Sequence, residues 1–335
     1  MPTLLVTVEQ AGVDKYSQEL ARILPVRTIE TRRYLSLPEA YRLAGLVRRE
    51  RDLVHLPNQN FARYALFRRE PFIVTVHDVI RFRFRFDPET LVEKALLRLD
   101  VHCIRRANHI IAASQHTRNG LVRYLHIPED RVTLVYDGVD HTIFKPGSPR
   151  PLEEPYIIYV GSERPRKNLG RLFEAFAMLK RDFPGLKLVK AGTAGRSLSY
   201  RLDTVRKLEK LGIRQDVVFL GHVAENELAR YYGSAVLLAY PSLHEGFGLP
   251  PLEAMASGCP VVASDNSSLP EVVGDAGILV DPTDTDGWVE AMRRVLTEGG
   301  LRDEMVGRGL ERAKLFSWEK AARETLAVYE KASAR

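Results

Sequence analysis

Two carboxylates, Glu245 and Glu253, stand with seven residues between them in the stretch 244–258, together with Gly246, Gly248, Pro250 and Pro251. The glycines leave the loop free of side-chain obstruction, so backbone N–H groups at Phe247, Gly248 and Leu249 can approach a ligand closely. The prolines fix φ where a helix should begin, and Gly258 stands where it should end. This places Glu253 in the first turn, where an acid ordinarily only stabilises the positive end of the macrodipole by about 0.3 kcal/mol. An acid in a loop and another in the helix it feeds can also face one pocket. The apolar run 235–240 reads as the buried strand that presents them.

A second stretch, Gly161-Ser162-Glu163-Arg164-Pro165-Arg166-Lys167-Asn168, puts two cations at the start of a helix. Helix N–H groups with a forked guanidinium and a mobile ammonium make a diphosphate site. In isolation an Arg-Lys pair is a solvated basic turn. Sharing a sheet edge with Glu245 and Glu253 changes that reading: one acid for ribose hydroxyls, a cationic pair for phosphates and a glycine-bordered acid for a polyol describe a nucleotide-sugar pocket. His77 ends a candidate strand, where open α/β sheets bind ligands. Beside Asp78 it reads equally well as a structural hydrogen-bonded pair. Gly12, in a strand-turn-helix connection, is a feeble anion-site signal, and a plain connector is the simpler reading.

The elements that must position these residues alternate. In the first half, strands are expected at 3–8, 52–56, 72–76, 110–113 and 132–135. Helices are expected from the turn after Val8 to about Leu24, at 61–68, at 91–106 with Leu91, Ala95, Leu99 and Cys103 on one face, and at 114–125 with Ser114 as N-cap. In the second half, strands at 156–160, 186–191, 217–220, 235–240, 260–263 and 278–280 alternate with helices at 200–211 and 225–232, one capped by Asn168 and the one beginning at the prolines. Such repetition implies a parallel sheet with helices on both faces. The linker-like run of Pro146, Gly147, Pro149, Pro151 and Pro155 places a domain boundary near residue 150, dividing the chain into 1–150 and 151–316. Arg81, Phe82, Arg83, Phe84, Arg85 and Phe86 alternate strictly. They read as a half-buried edge strand with solvated arginines, or as a surface loop dipping aromatics into an anionic membrane interface.

The composition excludes several classes. With 45% hydrophobic and 27% charged residues the chain of 335 residues is neither disordered nor membrane-spanning. Without a signal-peptide pattern it is expected to be cytoplasmic. A net charge of +6 favours anionic partners, but no zinc-finger, RNP or basic-helix motif accompanies it, so nucleic acid is not expected. Cys103 and Cys259 have no partner at metal-ligand spacing and read as buried thiols. Asp284-Thr285-Asp286 is the one superficial metal motif. Asp286 precedes an apolar-periodic run and reads instead as a helix N-cap, so no metal is expected.

With these residues in hand, the chain resembles a retaining glycosyltransferase of family four over nearly its whole length. The motifs are Tyr159-Val160-Gly161 leading to Pro165-Arg166-Lys167-Asn168, Tyr240-Pro241-Ser242 leading to Glu245 and Glu253, and Ser268-Leu269-Pro270-Glu271-Val272-Val273-Gly274. The resemblance implies the GT-B arrangement, two Rossmann-like domains with parallel sheets facing a cleft, and a terminal helix (317–335) that returns to the first domain. It implies that Glu253 holds the ribose, that Arg166 and Lys167 bind the leaving diphosphate, and that Glu245 with the Phe247, Gly248 and Leu249 backbone grips the sugar. His77 matches a histidine near the donor sugar and Gly12 the N-terminal loop at the cleft, although the family often has a glycine pair where this chain has Ala11-Gly12. Gly161 and Ser162 fall in the donor loop, and the region of 192–196 and His222-Val223 in the part that contacts the base. The Arg-Phe repeat departs from the family's usual segment and bears on the acceptor. No enzymic nucleophile is evident, so front-face, metal-independent chemistry is expected. The mannosyltransferase-like branch suggests GDP-mannose as donor, with a UDP-sugar second, and a glycan, a lipid-linked or a small-molecule acceptor. A nucleotide-sugar epimerase or hydrolase would need a dedicated base, and none is identified; a non-catalytic binding module would have lost part of the site.

Overall fold

The computed structural model describes residues 1–8, 12–32, 35–83, 90–147, 150–195 and 197–333, without the side chains of residues 12–14 and 83. Two compact units divide the chain: 1–138 with 316–335, and 139–315. The proline-rich run after residue 145 therefore lies inside the second unit.

The first unit is a parallel six-stranded sheet of β1 (Thr3–Thr7), β2 (Arg27–Thr31), β3 (Val54–Leu56), β4 (Phe72–Val76), β5 (His109–Ala112) and β6 (Val132–Leu134), in the order β2-β1-β3-β4-β5-β6. Its helices are α1 (Gly12–Ile23), α2 (Leu37–Arg49), α3 (Ile80–Arg83), α4 (Leu91–Arg106), α5 (Gln115–Leu125) and a terminal helix (Trp318–Ser333). The central strands β3, β4 and β5 are buried at every position, as a sheet covered on both faces requires.

Several expectations change here. Strand β2 and helix α2 have no counterpart in the sequence reading. Strand β2 is an edge strand with only Thr31 buried, so apolar periodicity could not reveal it. Helix α2 did carry a legible start, since Glu39 accepts from the Ser36 N–H at 2.8 Å and from its hydroxyl at 2.7 Å. The helix expected at 61–68 is a 3-10 turn, Gln59–Ala65, begun by Asn58 accepting from the Asn60 N–H. Helix α4 has the expected bounds but not the expected face: Leu91 is 83% exposed and Ala95 is exposed, while Asp100, Cys103 and Ile104 are buried. Asp100 turns inward because Arg63 on the 3-10 turn receives it through Nε and backbone N, and a buried acid does not register as part of an apolar stripe. Of the Arg-Phe repeat, residues 81–83 form the helical α3 rather than an extended edge strand; Phe84, Arg85 and Phe86 lie outside the described residues.

The second unit is a parallel sheet of β7 (Tyr156–Val160), β8 (Lys187–Ala191), β9 (Val217–Gly221), β10 (Leu237–Tyr240), β11 (Val261–Ser264) and β12 (Ile278–Val280), in the order β12-β11-β10-β7-β8-β9. Its helices are α6 (Leu169–Leu179), α7 (Leu198–Lys210), α8 (Glu225–Ser234), α9 (Leu249–Ala256), α10 (Leu269–Val273), α11 (Thr285–Thr297) and α12 (Gly299–Ala313); the terminal helix is α13. Asn168 precedes α6 but does not cap it. At φ +55° its amide donates to Pro241 O at 3.1 Å and Pro282 O at 2.8 Å. The cap of α11 is Asp284, which accepts from Gly287 N at 3.0 Å, and Asp286 falls inside the first turn. Among the described residues no helix is long and apolar enough to cross a membrane.

Candidate active site

Strand β7 ends at Val160, and the chain turns through Gly161 at φ +151° and a 3-10 turn, Pro165–Lys167, into α6. Strand β10, its neighbour, ends at Tyr240 and leads through the loop 241–248 to α9. These adjacent parallel strands bring Arg166, Lys167 and Glu245 together. Lys167 Nζ donates to Glu245 Oε1 at 2.6 Å and to the Tyr240 hydroxyl at 2.8 Å. Arg166 Nη1 donates to Glu245 Oε2 at 3.2 Å and to His244 O at 3.0 Å. All three side chains are at most 19% exposed, so the cluster holds two cations and one anion in a poorly hydrated place, where charges act strongly.

The ionisation of the cluster follows from its burial. Desolvation pushes the Glu245 carboxyl up, but Lys167 and Arg166 outweigh it and bring it down to about 2. Desolvation lowers the Lys167 ammonium to about 8; Glu245 pulls it back up while Arg166 adds to the lowering. At neutral pH the cluster carries one net positive charge with both cations ionised, which suits a ligand bearing phosphates.

A turn after β11 seats the acid loop. Ser267, itself at φ +51°, accepts from Glu245 N at 3.0 Å. Ser268 Oγ donates to Phe247 O at 2.6 Å and Glu245 O at 3.2 Å, and Asn266 donates to Leu243 O at 3.0 Å. The sequence reading noted Tyr240 and Ser268 only as parts of motifs and missed Asn266, Ser267 and Tyr232; nothing local marks these three, because the groups they hold lie 20 or more residues away. Phe247 is buried. Gly248 sits at φ +121°, and a Cβ there would lie 3.0 Å from Leu269 Cδ2.

Leu249 opens α9, so Glu253 is its fifth residue and lies beyond the first turn. The positive end of the macrodipole therefore does not explain Glu253 at this position. Glu253 is 9% exposed and accepts from the Tyr232 hydroxyl at 3.2 Å. At the other edge of the site, Gly161 N donates to Ala191 O at 3.0 Å, and Gly192 at φ +103° has no room for a side chain, since a Cβ would meet Gly161 O at 2.5 Å. Ser162 O accepts from the Tyr159 hydroxyl at 2.9 Å, and Val223 follows two residues after β9. Glu163, not singled out from sequence, is buried between Lys190 Nζ at 3.0 Å and Arg201 Nε at 2.9 Å, and its N–H reaches Ala194 O. Glu163 and Lys190 are buried and Arg201 half-buried; the ion pairs tie the 161–167 turn to β8 and α7, and the Glu163 N–H ties it to the loop after β8.

The remaining two candidates belong to the first unit. Gly12 opens α1, with Ala11 outside the described residues. His77 follows β4 and is 5% exposed; its Nε2 donates to Pro57 O at 2.9 Å. The carboxylate that its ring contacts is that of Asp137, with Nδ1 to Oδ2 at 3.8 Å, while the Asp78 carboxylate accepts from Ile80 N at 3.0 Å.

Two family models cover this arrangement: the one described as Glycosyltransferase Family 4 matches residues 4–143, and the one described as Glycosyl transferases group 1 matches residues 140–312. The chain belongs to glycosyltransferase family 4. Among curated relatives, the O-antigen chain mannosyltransferase B of Escherichia coli is 33% identical over 323 residues, 89% of this chain and 81% of that protein. The MMP alpha-(1->4)-mannosyltransferase of Mycolicibacterium hassiacum is 30% identical, over 79% of this chain and 66% of that protein. Among solved structures, sucrose-phosphate synthase of Thermosynechococcus elongatus superposes with a TM-score of 0.80 at 22% identity, covering 100% of this chain and 99% of that one. Anabaena HepE, solved with UDP and glucose, gives 0.81 at 17% identity with the same coverage. These neighbours match the glycosyltransferase in fold, and the two parallel sheets are those of GT-B.

Proposed function

We propose that this glycosyltransferase moves a hexose, with retention, from a nucleotide-diphosphate sugar, and that GDP-mannose is its donor. The observation that carries the reading is the buried Arg166-Lys167-Glu245 cluster at the ends of β7 and β10. In it the two cations bind the diphosphate and offset the charge that develops as it leaves, an electrostatic role that elsewhere falls to a metal ion. The departing diphosphate then takes the acceptor proton on the same face. Glu245 and the backbone at 247–249 grip the sugar and Glu253 the ribose. The mannosyltransferase names of the sequence relatives support the donor sugar. A UDP-sugar is the second reading, favoured by the UDP and glucose bound to HepE. The acceptor is a glycan, a lipid-linked or a small molecule. The first unit carries 26 Lys and Arg against 19 Asp and Glu, the second 23 against 24, which favours an anionic acceptor or surface on the first unit.

Incubation with labelled GDP-mannose, UDP-glucose and UDP-N-acetylglucosamine, separating transfer, hydrolysis and epimerisation products, tests the reading. Transfer from GDP-mannose is the expected result. Epimerised nucleotide-sugar with no transfer, or exclusive use of a UDP-sugar, contradicts it.

A further inference from the structure

His77 lies in a buried polar array confined to the first unit. On one side Nε2 meets Pro57 O, an acceptor, so that nitrogen carries its proton. On a second side stands the Asp137 carboxylate, 4% exposed, at 3.8 Å from Nδ1 and with its Oδ1 unpartnered. At that distance the pair is a charge contact rather than a hydrogen bond. On a third side the Tyr16 ring stands edge-on at 4.9 Å and 83°. Gln59 Oε1 and the Thr117 hydroxyl hold the His77 backbone.

Both ends of the terminal helix reach this array. Next to Asp137, Gly138 has no space for a Cβ, which would fall 2.3 Å from Trp318 N and 2.4 Å from Ser317 C. Further along, the Tyr329 hydroxyl meets His55 Nδ1 at 2.8 Å, His55 Nε2 meets Thr75 Oγ1 at 2.7 Å, and Thr75 Oγ1 meets the Tyr16 hydroxyl at 3.0 Å.

We propose that Asp137 is the positioning residue of His77, holding its ring charged and oriented, and that the terminal helix seats Asp137 for that task through Gly138. The inference rests on the reading of His77 as a donor-side residue. The charged groups around the ring fit it. His55, the other imidazole, is driven down to about 3 by burial and by His77. Burial opposes charge on His77 as well, but Asp137, the Pro57 carbonyl and Asp78 overcome it and raise its value. Of the two imidazoles, His77 is thus the one whose charged form its surroundings favour, and Asp137 is the carboxylate that faces it. Tyr16, pushed up by burial, stays a neutral phenol.

The test uses the full chain. Asp137→Asn should lower the NMR titration midpoint of His77, assigned by its loss in His77→Gln, by about one pH unit or more. It should lower kcat while leaving the donor KM within about twofold, and move the alkaline limb of the kcat profile downward. Asp137→Glu, which keeps the charge, should restore the profile, and Gly138→Ala should reproduce the titration shift. On a His77→Gln background, Asp137→Asn should add no further loss of kcat. An unchanged His77 titration in Asp137→Asn, or losses that multiply in the double variant, would overturn the proposal. Full kcat in His77→Gln refutes the donor-side reading of His77, and the titration then decides the positioning alone.

Discussion

Glu245 accepts from both Arg166 and Lys167, so a diphosphate that reaches the two cations must compete with a carboxylate that already holds them. The advantage is that two buried positive charges are kept apart from an uncompensated state; the expected cost of removing the acid is correspondingly large. Glu245→Ala should lower stability by about 3 kcal/mol in urea unfolding, the size of effect seen when one partner of a buried pair is deleted. Its carboxyl is lowered to about 2, below its value in an unfolded chain. Its stabilising contribution is therefore present above the unfolded value and lost as pH falls through about 2. Lys167 behaves in the opposite way. Its ammonium, lowered to about 8 by burial, is charged below that pH and neutral above it. Affinity for a nucleoside diphosphate should thus fall as pH rises past about 8, measured by calorimetry, and Lys167→Arg should flatten that dependence because a guanidinium keeps its charge. An affinity independent of pH between 7 and 9.5 would contradict the role of Lys167.

The alternation of strands and helices in the second unit was legible because buried parallel strands are continuous apolar runs; β7 and β12 have the bounds read from sequence. The meeting of Arg166, Lys167 and Glu245 was legible as well, since their types and their place after adjacent strands suggested one cluster. What was not legible is how they are held. Asn266, Ser267 and Ser268 fix the loop of Glu245 by hydrogen bonds spanning 21 to 23 residues, and no local pattern announces such partners. Asp137 was hidden for the same reason, 60 residues from His77. Helix α9 starts at Leu249 rather than at the prolines, because Gly248 with its positive φ serves as the entry, and this shift puts Glu253 beyond the first turn. The seating turn yields a prediction at this scale: Ser268→Ala removes the one hydroxyl proton shared between Phe247 O and Glu245 O and, by leaving buried carbonyls without their donor, should cost about 2 kcal/mol. It should also raise the donor KM more than it lowers kcat. An unchanged KM would show that the loop keeps its shape without the turn.

The two units differ in charge although they share an architecture, and the excess of cations in the first is a property of the molecule rather than of any motif. The donor chemistry proposed for the chain, by contrast, falls in the second unit, around one buried cluster. Affinity for nucleoside diphosphates over monophosphates is the property that this cluster alone should confer. The direct measurement is calorimetric binding of GDP, GMP, UDP and UMP to the natural protein and to the Arg166→Ala, Lys167→Ala double variant. The natural protein should prefer one diphosphate over its monophosphate by about tenfold or more, as expected of charge-assisted bonds to the second phosphate, and the folded double variant should lose that preference. A folded double variant that still binds the diphosphate as tightly as the natural protein would show that Arg166 and Lys167 do not hold it.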